Sequence, residues 1–230
     1  MAVDGNTRAI ACCWLGRTEY RECWDLQRRI FDARRAGTVG DVLLLTEHDP
    51  VYTIGRSGDR LHVLAQDEEL RRKRIDVVDV DRGGDVTYHG PGQLVGYPIL
   101  DLHSHYLDLH RFLRDLEETI IRALSLNGIA GVRDEGLTGV WVNGEKICAV
   151  GIKAVEWITM HGFALNVSTD LGAFGRIIPC GIFHKGVTSM AECQSRQFDL
   201  PAVGNDVARA FGDVFGVRVD AVSPESLINH

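Results

Sequence analysis

The chain has 230 residues, long enough for one sizeable core, and its 45% hydrophobic and 25% charged residues are the proportions of an ordinary folded protein. A formal charge of −7 argues against a dedicated nucleic-acid binder, and no apolar run nears the roughly 18 residues needed to span a bilayer. The opening MAVDGNTRAIACC carries an early acid and no basic stretch ahead of an apolar one, so it does not read as a secretory leader; a cytoplasmic location is the expectation.

In chain order, Tyr20 to Arg34 reads as a helix, with Cys23, Trp24, Ile30 and Phe31 near one face. The segment from Asp41 to Gly55 begins with VLLL, a buried-strand run. Asp67 to Lys73 reads as a short surface helix in which Asp67, Glu68 and Glu69 precede Arg71, Arg72 and Lys73, favourable for ion pairs and for the helix dipole. IDVVDV, from Ile75 to Val80, is strand-like and leads into RGGDVTYHGPGQ (82–93), which the apolar run LVGYPIL follows. From Leu109 to Leu126 the stripe Leu109, Phe112, Leu113, Leu116, Ile120 and Leu124 predicts a helix, and Asn127-Gly128 supplies its stop. GVWV and KICAVGIKAV flank Asn143-Gly144-Glu145, a strong hairpin signal. FALNV is a further strand after His161-Gly162, and the tail carries a helix from Val207 to Phe215 and a last strand, GVRVDAV. Hairpins mixed with separate helices predict an α+β protein, a mixed sheet flanked by helices, with residues 1–230 forming a single domain.

The stretch 82–93 holds four glycines, a proline, a tyrosine and a histidine. So much backbone freedom suggests close approach to a ligand, yet no phosphate motif fits. There is no G-x-x-x-x-G-K-[ST], and Gly90, Gly92 and Gly96 are spaced one residue too long for the dinucleotide fingerprint. The six cysteines are too sparse for a disulfide scaffold and none forms a C-x-x-C pair. Cys23 and Cys148 sit in apolar patterns that predict packing, Cys12 and Cys13 lack a polar partner nearby, and Cys193 fits a helix. Cys180 differs, because IPCG sets it in a turn between proline and glycine, where a thiol can be exposed and the Gly181 amide can face an oxyanion. Packing remains the competing reading of a lone cysteine.

An ordinary thiol, with a pKa near 8.5, is only about 3% thiolate at pH 7, so a nucleophile needs a partner. Lys146, His89, His161 and His184 are candidates that spacing cannot rank, and Lys146 also fits a strand-end lysine reaching back to water. His103, His105 and His110 lie close together, but no H-E-x-x-H pattern accompanies them; a polar surface turn is the simpler reading, and no metal site is expected.

Four stretches, RGGDVTYHGPGQ (82–93), GEKICAVGIK (144–153), HGFALNV (161–167) and IPCG (178–181), occur in an order and spacing that closely resemble the lipoyl(octanoyl) transferases. The resemblance covers about residues 40–195. It implies a fold like that of biotin and lipoate protein ligases, with Cys180 as acyl-thioester nucleophile and Lys146 as the residue that lowers its pKa. It also implies a substrate site lined by Arg82, Gly83, Gly84, Asp85, Val86, Thr87, Tyr88 and His89, by Ala149, Val150 and Gly151, and by Gly162, Phe163 and Ala164, with the glycines leaving room for the acyl chain. The implied partners are octanoyl-acyl carrier protein as donor, and as acceptors the lipoyl domains of 2-oxoacid dehydrogenase E2 subunits and the glycine-cleavage H protein. No cofactor, nucleic acid or membrane is implied. Carrier proteins are acidic, so a basic docking patch is expected, with Arg71 to Arg74 and Arg82 as its candidates. An ATP-dependent ligase on the same fold, a non-catalytic acyl-binding module and a thiol hydrolase are the competing readings.

Overall fold

A computed structural model describes residues 8–178 and 186–228. In chain order the elements are β1 (Ala9–Thr18), α1 (Tyr20–Arg35), β2 (Val42–His48), β3 (Val51–Ile54), α2 (Asp67–Lys73), β4 (Asp76–Asp79), β5 (Val86–His89) and β6 (Gln93–Ile99). There follow α3 (Leu109–Leu126), β7 (Val132–Asp134), β8 (Leu137–Val142), β9 (Glu145–Val155), β10 (Ile158–Asn166), α4 (Met190–Gln194), α5 (Leu200–Phe215), β11 (Arg218–Ala221) and α6 (Pro224–Ile228). Eight strands form a mixed sheet in the order β11-β1-β2-β6-β10-β9-β8-β7, and β4-β3-β5 form a second, smaller one. The expected α+β architecture is present.

The VLLL run is buried on both sides because β2 is interior to the large sheet. Leu43 and Leu45 join α3 and α5 in one core cluster, and Val42 and Leu44 join α1 in another. On α3, Phe112, Leu116, Ile120 and Leu124 are fully buried, each worth about 2 kcal/mol of transfer from water, while Leu109 stays 37% exposed. Side chains start the helices: Asp108 Oδ1 accepts from Arg111 N at 3.0 Å, and Asp199 Oδ2 accepts from Ala202 N at 3.2 Å.

Three expectations are revised. β1 was not anticipated, since its mixed burial breaks strand alternation. The tail helix begins at Leu200, seven residues before Val207, capped by Asp199 and with Pro201 in its first turn. The stretch 82–93 contains a strand: its residues Val86–His89 are β5, which pairs antiparallel with β3, with Thr53 opposite Thr87 and Val51 opposite His89.

Candidate active site

A cavity of about 380 Å³ lies on the α1 side of the large sheet. Alternate residues of three adjacent antiparallel strands form its floor in registered rows. Gln93 of β6 lies opposite Asn166 of β10, and Ala164 of β10 lies between Val95 of β6 and Ala149 of β9. Gly162 of β10 lies opposite Gly151 of β9. All of these residues line the cavity. The short motifs AVG and GFA are therefore antiparallel partners, alanine facing alanine and glycine facing glycine, and the result is a shallow apolar trough.

The segment 82–89 covers the trough. Gly83 N donates to Ile152 O at 2.9 Å, and a Cβ on Gly151 would stand 2.9 Å from Gly83 O, so the covering main chain rests directly on β9. Arg82 is buried, and its Nη2 donates to Thr53 O at 2.8 Å and to Asp85 O at 2.7 Å, with Nη1 on Gly83 O at 3.0 Å. Asp85 Oδ1 accepts from Val86 N at 2.7 Å and meets His62 Nδ1 at 2.8 Å.

Of the residues expected to line a substrate site, the structure gathers Arg82, Gly83, Gly84, Asp85, Val86, Thr87, His89, Ala149, Val150, Gly151, Gly162, Phe163 and Ala164 around this one cavity, together with Lys146. Tyr88 is the exception. Strand alternation turns it away, to pack with Tyr52 and Phe174, and it is absent from the lining. The glycines also act differently from expectation. A Cβ on Gly90 would lie 2.1 Å from Tyr88 Oη, and one on Gly92 (φ +81°) 2.5 Å from Ser168 O. These two make room for protein against protein, and the alanine row supplies the space in the trough.

Sequence reasoning missed the polar chain beside the trough. His89 Nδ1 donates to Gln93 Oε1 at 2.8 Å, Gln93 Nε2 to Asn166 Oδ1 at 2.9 Å, and Asn166 Nδ2 to Thr188 O at 3.0 Å. Gln93 Nε2 also donates to Tyr88 O, which leaves its Oε1 as the acceptor and places the His89 proton on Nδ1. Tyr20 stacks on His89 with ring centroids 5.8 Å apart, and His48 Nε2 meets Tyr97 Oη at 2.7 Å. Gln93 and Asn166 stand at the ends of the two quoted strand motifs, which was the available signal.

Burial holds both imidazoles neutral, His48 at about 4 and His89 at about 3. An unfolded histidine titrates near 6.5, so as the pH falls the unfolded chain takes up these protons first. Their contribution is complete above pH 6.5 and is lost as the pH falls from there to about 4 for His48 and about 3 for His89. At pH 5 the loss is expected to reach roughly 4 kcal/mol for the pair, about 1.5 pH units each at about 1.4 kcal/mol per unit. Urea unfolding at pH 7 and pH 5 measures it; equal stabilities would mean the two rings are not neutral in the folded protein.

Lys146 reaches the cavity through a break in alternation. Val140 lies opposite Cys148 while Trp141 lies opposite Lys146, so β9 carries one extra residue there. Ile147 and Cys148 both enter the α3-side core, and Lys146 comes round to the trough, where Nζ stands 4.8 Å from the Trp141 ring centroid. Its stem lies beside Gly139, whose φ is +128°; a Cβ there would sit 2.6 Å from Cys148 O. Buried Glu117 holds this turn, with Oε1 accepting from Gly139 N at 2.9 Å. Lys146 N donates to Gly186 O at 3.0 Å, and Thr188 N donates to Lys146 O at 3.0 Å. Cys180 and His184 lie outside the described residues. Gly186 and Val187, just after that segment, line the cavity.

His161, a third candidate partner, is buried with φ +58° and places Nε2 2.7 Å from Asp81 Oδ1, while Lys153 Nζ donates to Asp81 Oδ2 at 2.6 Å. These bonds hold the Asp81 carboxyl well below the usual range, and burial lowers His161. Burial pushes the Cys148 thiol well up, in keeping with an inert packed sulfur. His103 pairs with Asp101 and His105 with Asp41, so these rings serve separate carboxylates. Among the described residues, no group of three histidine, cysteine or acidic side chains is placed to hold a metal ion. Arg71, Arg72, Lys73 and Arg74 are exposed, whereas buried Arg82 cannot belong to a docking patch. No helix of the described residues is long and apolar enough to cross a membrane.

Residues 19–212 match the family described as the lipoyl protein ligase A/B catalytic domain. The chain is 52% identical over 203 residues to an octanoyltransferase of Rubrobacter xylanophilus, covering 87% of this chain and 91% of the relative. It is 46% identical over 222 residues to an octanoyltransferase of Caldicellulosiruptor bescii, covering 96% and 97%. A solved structure of a bi-partite lipoate protein ligase from Thermoplasma acidophilum superposes with a TM-score of 0.69 at 17% identity, covering 96% of this chain and 90% of that one, a likeness of fold.

Proposed function

The chain belongs to the octanoyltransferase family, within the lipoyl protein ligase A/B catalytic group, and from that premise we propose a transfer in two steps through Cys180 and Lys146. The donor is octanoyl-acyl carrier protein. The acceptors are lysines on apo lipoyl domains, those of 2-oxoacid dehydrogenase E2 subunits and of the glycine-cleavage H protein. The observation that carries this reading is an apolar trough whose lining includes Lys146, Gly186 and Val187.

The Cys180 thiolate attacks the octanoyl carbonyl carbon, forming one carbon–sulfur bond as the carrier's breaks. Lys146 as ammonium first favours the thiolate and then gives a proton to the departing carrier thiol. The acceptor lysine must attack as a neutral amine. Lys146, now neutral, takes the proton it sheds, and Cys180 leaves as thiolate. Thioester energy drives amide formation, so no nucleotide is consumed. Val95, Ala149 and Ala164 seat the hydrocarbon, and each buried methylene contributes about 0.8 kcal/mol to holding it.

Intact and peptide mass spectrometry with octanoyl-carrier protein and no ATP tests the scheme. The expected result is a hydroxylamine-labile octanoyl adduct on Cys180 that chases onto an added lipoyl domain. Transfer that appears only when ATP is supplied would replace this reading with an adenylate-forming ligase.

A further inference from the structure

The buried hydrogen bonds beside the trough all run one way. We infer that Asn166 is a positioning residue for transfer. Its amide ties the 186–188 main chain, which brackets Lys146, to the end of β10, and a chain of bonds from Arg82 fixes which way that amide faces. This rests on the transfer reading, since the placing of Lys146 matters to the reaction only if Lys146 takes part in it.

Lys146 needs the tie. Pairing between β9 and β10 stops at Cys148 opposite Leu165, two residues short of Lys146, and the extra residue in β9 interrupts its ladder with β8. At Lys146 the neighbour of β9 is the 186–188 segment in place of β10. Lys146 bridges Val187 in parallel, with Lys146 N donating to Gly186 O and Thr188 N to Lys146 O, both at 3.0 Å. Asn166 is the last residue of β10, and its Nδ2 donates to Thr188 O at 3.0 Å. It joins the strand that has ended to the segment that takes its place. The next tie, Ala191 N to Val167 O at 2.8 Å, is between main-chain atoms and does not depend on that side chain.

The order of donors is forced. Thr188 O can only accept, so Asn166 turns Nδ2 to it and leaves Oδ1 to receive Gln93 Nε2 at 2.9 Å. Gln93 then has only Oε1 for His89, which must carry its proton on Nδ1. His89 Nε2 is left as an acceptor, 3.5 Å from Thr53 Oγ1. That oxygen accepts from Arg82, Nη2 at 2.9 Å and Nε at 3.3 Å, so its own proton goes to His89. Every side chain in the sequence Arg82, Thr53, His89, Gln93 and Asn166 is buried. An amide turned the wrong way would set two acceptors or two donors face to face away from bulk water, and that is costly.

Nitrogen NMR of the histidine rings in the wild type reads the direction of the chain. Transfer kinetics, with iodoacetamide labelling of Cys180 against pH, read the role. His89 is expected as the neutral Nδ1–H tautomer. Asn166→Leu is close in size and has no donor; the Ala191–Val167 bond should keep it folded. It should lower kcat by about tenfold or more and leave KM for octanoyl-carrier protein within about threefold. Its labelling curve should move toward that of Lys146→Ala. A proton on His89 Nε2 in the wild type reverses the chain and overturns the inference without any variant. Transfer by the leucine variant within about twofold of wild type overturns it too. So does a large loss with the labelling curve unmoved, which would make the Asn166 amide a direct partner of the reacting carbonyl. The expected tautomer in a wild type that forms no adduct on Cys180 would overturn the transfer reading, and this role with it, and leave the direction of the chain in place.

Discussion

Replacing Cys180 with alanine should abolish octanoyl transfer, by about 10⁴-fold or more, with no thioester adduct on the protein. The loss should fall on the first half-reaction, because among the described residues no cysteine lines the cavity. Cys148, the nearest thiol in sequence to Lys146, lies in the opposite core and is fully buried, with its pKa pushed up by that burial. His89 is a neutral ring whose proton is committed to Gln93. Cys180→Ser tests the thiol itself. A hydroxyl lacks an accessible anion, and its ester would be a poorer acyl donor to an amine, so activity should stay within about tenfold of the alanine variant. Melting temperatures should barely move. If the alanine variant retained more than about 1% of wild-type transfer, the acyl-enzyme would be abandoned in favour of direct attack by the acceptor lysine on the carrier thioester.

What the sequence disclosed depended on whether a local signal survived folding. α3 ends where expected because its apolar stripe and its Asn127-Gly128 stop agree, and the Asn143-Gly144 turn carries φ of +50° and +83° at its centre. The turn between β9 and β10 has the same left-handed pair at Glu156 and Trp157, residues that announce no turn, so that hairpin was illegible before folding. The motifs AVG and GFA could be quoted from the sequence, but their pairing could not, since register is a property of two strands at once. Tyr88 shows the reverse error: a motif read as a unit assigned every side chain to the site, while a strand sends alternate residues to opposite faces. Arg82 looked like surface charge because no sequence feature reports that Thr53, far upstream, will take its hydrogen bonds.

Lys146 was the least legible of the site residues and supports the second large prediction. By plain alternation it would share a face with Cys148 and point into the α3-side core; the extra residue in β9 brings it into the trough. Lys146→Ala should lower steady-state transfer by about 10²–10³-fold. Two roles are combined in that number, and Lys146→Arg separates them. A guanidinium keeps the positive charge beside the thiolate but does not release a proton at working pH. The arginine variant should therefore still form the octanoyl adduct and then pass it to a lipoyl domain slowly, so that acyl-enzyme accumulates. The alanine variant should be slow to form any adduct near pH 7 and should recover toward pH 9, as the thiol returns to its ordinary range near 8.5 without the ammonium. A loss of about two pKa units of assistance corresponds to roughly 2.7 kcal/mol, or about 100-fold less thiolate at low pH. Iodoacetamide labelling of Cys180 against pH reads this directly. If labelling of the alanine variant followed the same pH curve as wild type, Lys146 would have no part in thiolate formation. Its role would then lie wholly in taking the proton from the incoming amine, and the arginine variant would be as impaired as the alanine one.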